Sequence, residues 1–269
     1  MFMIKIGYCT NMLAAQPGKP GTEWIPYIAA AGYDYVELPM RAMVHAGEEF
    51  IRETKKVLEE QQLPCLSSND FLPPEVRITG DDVNRDRILA YLEKANKCME
   101  ILGMKTVVVG SAGARNIPED FPVEKAQEQL VDFFRLLGET LPDGVTGVVE
   151  PICKLESNII NLVSEGLSIA RRADRPNIRV LADSFHMENE KEPFSVLEEA
   201  GSWLRHVHTS PVDPRCLPFK EDAAQGLFIK KLMECGYTGC ISIEAHAGQP
   251  EEELAEARKQ VLKWMGTAM

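Results

Sequence analysis

Apolar and polar positions along the chain follow two alternating periods. Short runs rich in Val, Ile and Leu fall at residues 4–9, 35–38, 65–69, 105–110, 145–150, 178–183, 203–208 and 240–244. Their length and β-branched content predict buried strands. Between them lie segments with apolar residues at helical spacing: 23–31, 47–61, 82–102, 123–138, 157–172, 193–200, 222–235 and 251–265. A strand followed by a crossover helix returns to a parallel neighbour. Eight such units fit an α/β architecture with a closed (β/α)8 barrel, which occupies roughly 250 residues. A doubly wound open sheet is the alternative and normally carries fewer units. No linker, repeat or low-complexity tract interrupts the pattern, so residues 1–269 are read as a single domain.

Composition narrows the function classes. The formal net charge is −12, from 29 Lys and Arg against 41 Asp and Glu. That balance opposes nucleic-acid binding, which needs clustered cations against phosphates. The seven cysteines are scattered, odd in number and without a C-x-x-C pair, which points to free thiols rather than a disulfide framework. The first residues run directly into a strand with no signal-peptide pattern, and no apolar run approaches the ~20 residues of a membrane span. A cytoplasmic protein is expected.

In a barrel, function sits at the carboxyl ends of the strands. Those ends are Glu37, Asn69, Gly110 with Ser111, Glu150, Asp183, His208 and Glu244. The last four strands thus end in Glu, Asp, His and Glu. Three carboxylates and one imidazole on one rim suit a divalent cation such as Mn²⁺, Mg²⁺ or Co²⁺, and Zn²⁺ less well without a second His or a Cys. For Glu37 alone the ordinary explanation is a helix cap or a loop salt bridge. His206 shares a face with His208 but lies deeper, and reads as a core histidine. His186, three residues past Asp183, can reach a bound substrate. Glu156 reads equally as an acid at a helix start. His45 and His246 read as loop residues. Gly110 and Gly113 read as loop glycines, since the G-x-G start of a dinucleotide fingerprint is missing.

The motifs carry a resemblance. The segment from Glu150 through Pro151 and Glu156 to Asn161 resembles the strand-five motif of the xylose isomerase-like TIM barrel sugar isomerases and epimerases. Leu181-Ala182-Asp183-Ser184-Phe185-His186 is similar to the strand-six motif, His206-Val207-His208-Thr209 to strand seven, and Gly236 through Glu244 to strand eight. The Asn69–Pro74 loop and the Gly110–Asn116 segment also resemble a bacterial branch of that family. What the D-tagatose and D-psicose 3-epimerase members imply is a set of roles. Glu150, Asp183, His208 and Glu244 match metal ligands, with Mn²⁺ first among the candidates. Glu150 and Glu244 match the acid/base pair. Glu156, His186, Arg215 and Asn69 match the substrate side. The resemblance also implies a homodimer or homotetramer; Leu262, Trp264 and Met265 on the last helix fit such a face, and fit a core equally well.

The chain departs from the family pattern at Cys153-Lys154, at Pro211–Pro214 and at residues 217–222. These departures bear on the substrate rather than on the cation. The chemistry expected is proton transfer beside the carbonyl of a keto-sugar or cyclitol, through a metal-stabilised ene-diolate, with Glu150 and Glu244 on opposite faces. A sugar phosphate would need a cationic cradle, for which Arg115, Lys154 and Arg215 are the candidates; no Gly-rich phosphate loop is visible, which points to an unphosphorylated substrate. The alternatives are an aldose–ketose isomerase, a metal-dependent dehydratase or lyase, a non-catalytic sugar-binding barrel, and an endonuclease IV-like DNA-repair enzyme, which the histidine count and charge disfavour.

Overall fold

A computed structural model describes residues 4–217 and 222–266. Eight parallel strands close on themselves in chain order: β1 (Lys5–Cys9), β2 (Tyr35–Pro39), β3 (Cys65–Asn69), β4 (Thr106–Val109), β5 (Thr146–Val149), β6 (Ile178–Asp183), β7 (Leu204–Thr209) and β8 (Cys240–Ile243). Around them run α1 (Ile25–Ala30), α2 (Met40–Ala46), α3 (Glu48–Glu60), α4 (Arg85–Leu102), α5 (Ala112–Arg115), α6 (Val123–Thr140), α7 (Val163–Ala173), α8 (Ser184–Asn189), α9 (Val196–Ala200), α10 (Ala223–Glu234) and α11 (Pro250–Trp264). The (β/α)8 expectation holds.

The helices begin and end where side chains satisfy the free backbone groups. Asn84 accepts the Arg87 amide at the start of α4, and Gly103, in the left-handed region at φ 77°, closes it. The Asp222 carboxylate caps α10 by accepting from Ala224 and Gln225. The longest departure from expectation lies between β5 and α7. The segment 157–172 was expected to be helical throughout, but the helix starts at Val163. Ile160 takes a positive φ of 57°, the Asn161 amide donates to the Ile152 and Ser157 carbonyls, and the Glu165 carboxylate accepts from the Asn161 and Leu162 amides. The capping residue therefore lies at Leu162, and residues 151–162 form a long loop on the barrel rim. The short helices α2 and α8 follow their strands without a break and were not expected.

The main apolar core fills the layer between strands and helices, while Val108, Val148 and Leu181 form a separate small cluster. These three share a face with Gly110, Glu150 and Asp183 on β4, β5 and β6, so they plug one side of the barrel interior. The other side is polar. The Tyr35 ring crosses the interior over Gly7, where a Cβ would fall 2.2 Å from the ring, and its hydroxyl lies 2.7 Å from Ser242 Oγ. Register aligns Asp183 with His208 and His208 with Ser242, which brings the carboxyl ends of β6, β7 and β8 together. No helix among the described residues is long and apolar enough to cross a membrane. Leu262, Trp264 and Met265 are half-buried and pack against the main core.

Candidate active site

At the carboxyl end of the barrel, Glu150, Asp183, His208 and Glu244 each offer one ligand atom, and these atoms all lie within 4.8 Å of one another. The four strand ends singled out in the sequence therefore converge. Asp183 and His208 are fully buried and form the floor. Glu150 and Glu244 rise beside them and line a cavity of about 340 Å³. Gly110 makes room for this arrangement: a Cβ there would fall 1.7 Å from Glu150 Oε2.

The orientation of His208 is fixed from below. Its Nε2 lies 3.0 Å from Glu37 Oε1, while its Nδ1 faces Glu150 Oε1 at 3.1 Å and Glu244 Oε2 at 3.4 Å. Glu37 is no helix cap or loop ion pair. It is wholly buried in the barrel interior, where its other oxygen meets His206 Nε2 at 2.8 Å and accepts from Ser67 at 2.7 Å and Ser242 at 2.5 Å. β2 runs two residues past it to Pro39, so the side chain sits one layer below the rim. His206 is a core histidine as expected, bonded to Glu37.

The charges in this layer are coupled. Burial would raise the Glu37 carboxyl, but His208 and His206 hold it well below the ordinary range. Burial would lower His208, but Glu37 and Glu244 hold its imidazolium well above the usual value. Glu244 is likewise kept ionised against burial by Arg215 and His208. Asp183 is raised by burial, with Arg215 opposing. With Nε2–H directed at Glu37, the Nδ1 of His208 faces two carboxylate oxygens and carries the second proton of the imidazolium between them. That donor set fits a divalent cation, which would replace a proton between an imidazole and three acids.

Arg215 and Asn69 clamp Glu244. Arg215 donates to Glu244 Oε2 at 2.5 Å and to its carbonyl at 3.0 Å, reaches Asp183 Oδ2 at 3.4 Å, and stacks 4.0 Å from the Phe185 ring centroid. Asn69 donates to Glu244 Oε1 at 2.9 Å and to Asn11 at 3.0 Å. His186 forms a buried part of the cavity wall. Its Nδ1 accepts the Cys153 amide at 3.2 Å, so Nε2 carries the proton when the ring is neutral, and burial favours the neutral form. Glu156 also lines the cavity, on the long loop rather than at a helix start, and its carbonyl accepts from Asn116 at 3.2 Å.

The three cations nominated for a phosphate cradle are engaged otherwise. Arg115 is buried and clamps carbonyls, donating to Glu150 at 2.6 Å and Ile160 at 3.3 Å. Lys154 pairs with Glu190 at 3.2 Å, and Arg215 with Glu244. His246 is an exposed loop residue as expected, whereas His45 lies in α2. Of the divergent segment 217–222, residues 218–221 lie outside the described residues. Glu37, one of the strand ends, is the residue whose place sequence reasoning misread; the signal available was His206 and His208 sharing a face, two buried imidazoles that need polar partners.

A profile of the family described as xylose isomerase-like TIM barrel matches residues 25–265. The chain is 28% identical over 195 residues to a probable ketose 3-epimerase of Synechocystis sp., covering 70% of this chain and 66% of that protein. It is 29% identical over 102 residues to a D-psicose 3-epimerase of Ruminiclostridium cellulolyticum, covering 38% and 34%. The match thus spans just under two thirds of the first relative and about a third of the second. Among solved structures, a D-psicose 3-epimerase crystallised in the presence of D-fructose superposes with a TM-score of 0.83 at 18% identity, covering 98% of this chain and 100% of that one.

Proposed function

The chain belongs to the xylose isomerase-like TIM barrel family, and from that premise we propose that it is a divalent-metal-dependent sugar epimerase or isomerase. Its substrate on this reading is a keto-sugar or cyclitol, and its reaction moves a proton on the carbon beside a carbonyl. The observation that carries this is the convergence of Glu150, Asp183, His208 and Glu244, with the two glutamates open to the cavity. The epimerase names of the relatives support the reaction class.

Glu150, Asp183, His208 and Glu244 would hold the cation, with Mn²⁺ the first candidate. When bound, the ion supplies Lewis acidity to the substrate's carbonyl and neighbouring hydroxyl. Glu150 stands on the β5 side of the site and Glu244 on the β8 side, with His208 Nδ1 between them. A substrate carbon lying over that imidazole meets a carboxylate on either face. One removes the proton and the other returns one to the opposite face, which inverts the centre. Arg215 and Asn69 fix the Glu244 carboxylate by both oxygens, so its position is set before substrate arrives. The His186 Nε2–H is placed to donate to a substrate oxygen, and Glu156 to accept from a hydroxyl. Arg115, Lys154 and Arg215 all have other partners, which favours an unphosphorylated reacting end.

The test is incubation of the Mn²⁺-loaded protein with a panel of ketoses, inososes and their phosphates and carboxylates in D₂O, followed by NMR. Deuterium at one carbon adjacent to the carbonyl, with an inverted product, is the expected result. An aldose product would make the enzyme an aldose–ketose isomerase, and loss of water would make it a dehydratase. Absence of exchange from every substrate, with metal bound, would overturn the reading.

A further inference from the structure

A second cavity, of about 670 Å³, opens beside the first and shares Gly18, Arg41 and Ala42 with it. It lies between α2, the loop after β3 and the start of α4. Val44, Val76 and Tyr91 give it apolar surface, and Arg87 and Lys94, on the same face of α4 as Tyr91, line it with Arg41 of α2, against Glu75 as the one acid among the lining residues. That is a local excess of positive charge in a chain whose net charge is −12.

The cations of this annex are free in a way the buried ones are not. Arg41, at the junction of the two cavities, gives one arm to Asp70 at 2.8 Å. The Arg87 guanidinium meets only a carbonyl, that of Glu75 at 3.2 Å, among the described residues. Lys94 has no acidic partner among the described residues, nor does Lys19 at the mouth of the first cavity. Arg87 and Lys94, without an acidic partner and facing one cleft, concentrate field lines there and recruit an anion.

We infer that the substrate extends beyond its reacting carbons into this annex and ends there in an anionic group, a phosphate or a carboxylate, held by Arg87 and Lys94 with Arg41 at the junction. This rests on the keto-sugar reading of the first cavity and deepens it. The reacting end lies over Glu150 and Glu244, where Arg215 is engaged by Glu244 and Lys19 stands only at the mouth. The far end reaches across the Gly18–Arg41–Ala42 junction. Free ketoses would then be poor substrates relative to anionic keto-sugars.

The experiment has two arms, on the wild type and on the double variant Arg87→Ala/Lys94→Ala. In the first, the Mg²⁺-loaded proteins are titrated calorimetrically with inorganic phosphate and with D-gluconate. In the second, solvent-deuterium exchange is followed for D-fructose, D-fructose 6-phosphate and 5-keto-D-gluconate. The expected result is anion binding that the double variant loses, and a KM for the anionic sugars about tenfold or more below that of D-fructose, an advantage the variant abolishes. The better of the phosphate and the carboxylate names the group. Anion binding and KM values indifferent to the variant overturn the inference, even if D-fructose exchanges and the epimerase reading stands. Anion binding that depends on Arg87 and Lys94, with no exchange from any sugar, upholds the anion site and overturns the epimerase reading instead.

Discussion

Glu37 Oε1 lies 3.0 Å from His208 Nε2, wholly inside the barrel and beneath the cluster of acids. The contact selects the tautomer of His208 that leaves Nδ1 free for a cation. Glu37→Gln keeps the shape but offers an amide where the imidazole N–H now finds a carboxylate. Weakening the partner of a ligating histidine typically costs 10–100-fold in metal affinity. Calorimetric titration with Mn²⁺ should therefore show a dissociation constant raised by about 10–100-fold, with an unaltered far-UV spectrum. An unchanged affinity would show that Glu37 only fills the barrel.

On the proposed mechanism, Glu150 and Glu244 divide the proton transfer between two faces. Glu150→Gln and Glu244→Gln should each slow epimerisation by at least about 10²-fold, the usual range for a general acid or base. Deuterium wash-in from solvent should vanish in at least one of them. Full turnover and exchange in both variants would exclude these residues as the acid/base pair. Metal affinity is measured alongside, since both also belong to the donor set.

Gly110 carries a steric requirement that can be tested without touching a charged group. A methyl at this position would meet Glu150 Oε2 at 1.7 Å and displace the carboxylate. The rest of the β4 end is undisturbed, so Gly110→Ala should fold. Misplacing a catalytic group by about 1 Å costs on the order of 10²-fold. A loss of kcat/KM of that size is expected, together with weaker Mn²⁺ binding. Wild-type activity in Gly110→Ala would mean that Glu150 has a second working position.

The barrel was legible in runs such as those of β4, β5, β6 and β8, and the rim in the polar residues at or beside strand ends, such as Asp183 and His208. Periodicity gives the face a side chain occupies and not its depth or its partner. For Glu37 the sequence therefore gives only a helix cap or a loop salt bridge, although His206 and His208 close on it from the same layer. Charge alone misled in the same way at Arg115, whose guanidinium serves backbone carbonyls. Apolar Ile159 and Ile160 extended the helical pattern backwards from α7, but the positive φ at Ile160 and the Asn161 side chain end it. Such local hydrogen bonds override weak propensity. Helices as short as α8 leave too little period to detect.

Glu188 on α8 supplies a pH-dependent part of stability. Its carboxyl is half-buried, and burial, with Asp222 nearby, pushes its pKa up to about 7, while the hydrogen bond from Gln225 opposes the rise. In the unfolded chain a glutamate titrates near 4.3. Between those values the folded state holds a proton that the unfolded state has lost, so stability falls as pH rises through that window. The contribution is present in full below about pH 4.3 and lost above about 7. Discounted for solvent exposure, the loss is on the order of 1 kcal/mol, or roughly 2–4 °C in Tm for a chain of this size. Glu188→Gln stays neutral throughout. Its Tm should match the wild type at pH 4 and exceed it by about that margin at pH 8.5. Parallel Tm curves for the two proteins across this range would show that Glu188 titrates in the folded protein as it does in the unfolded chain.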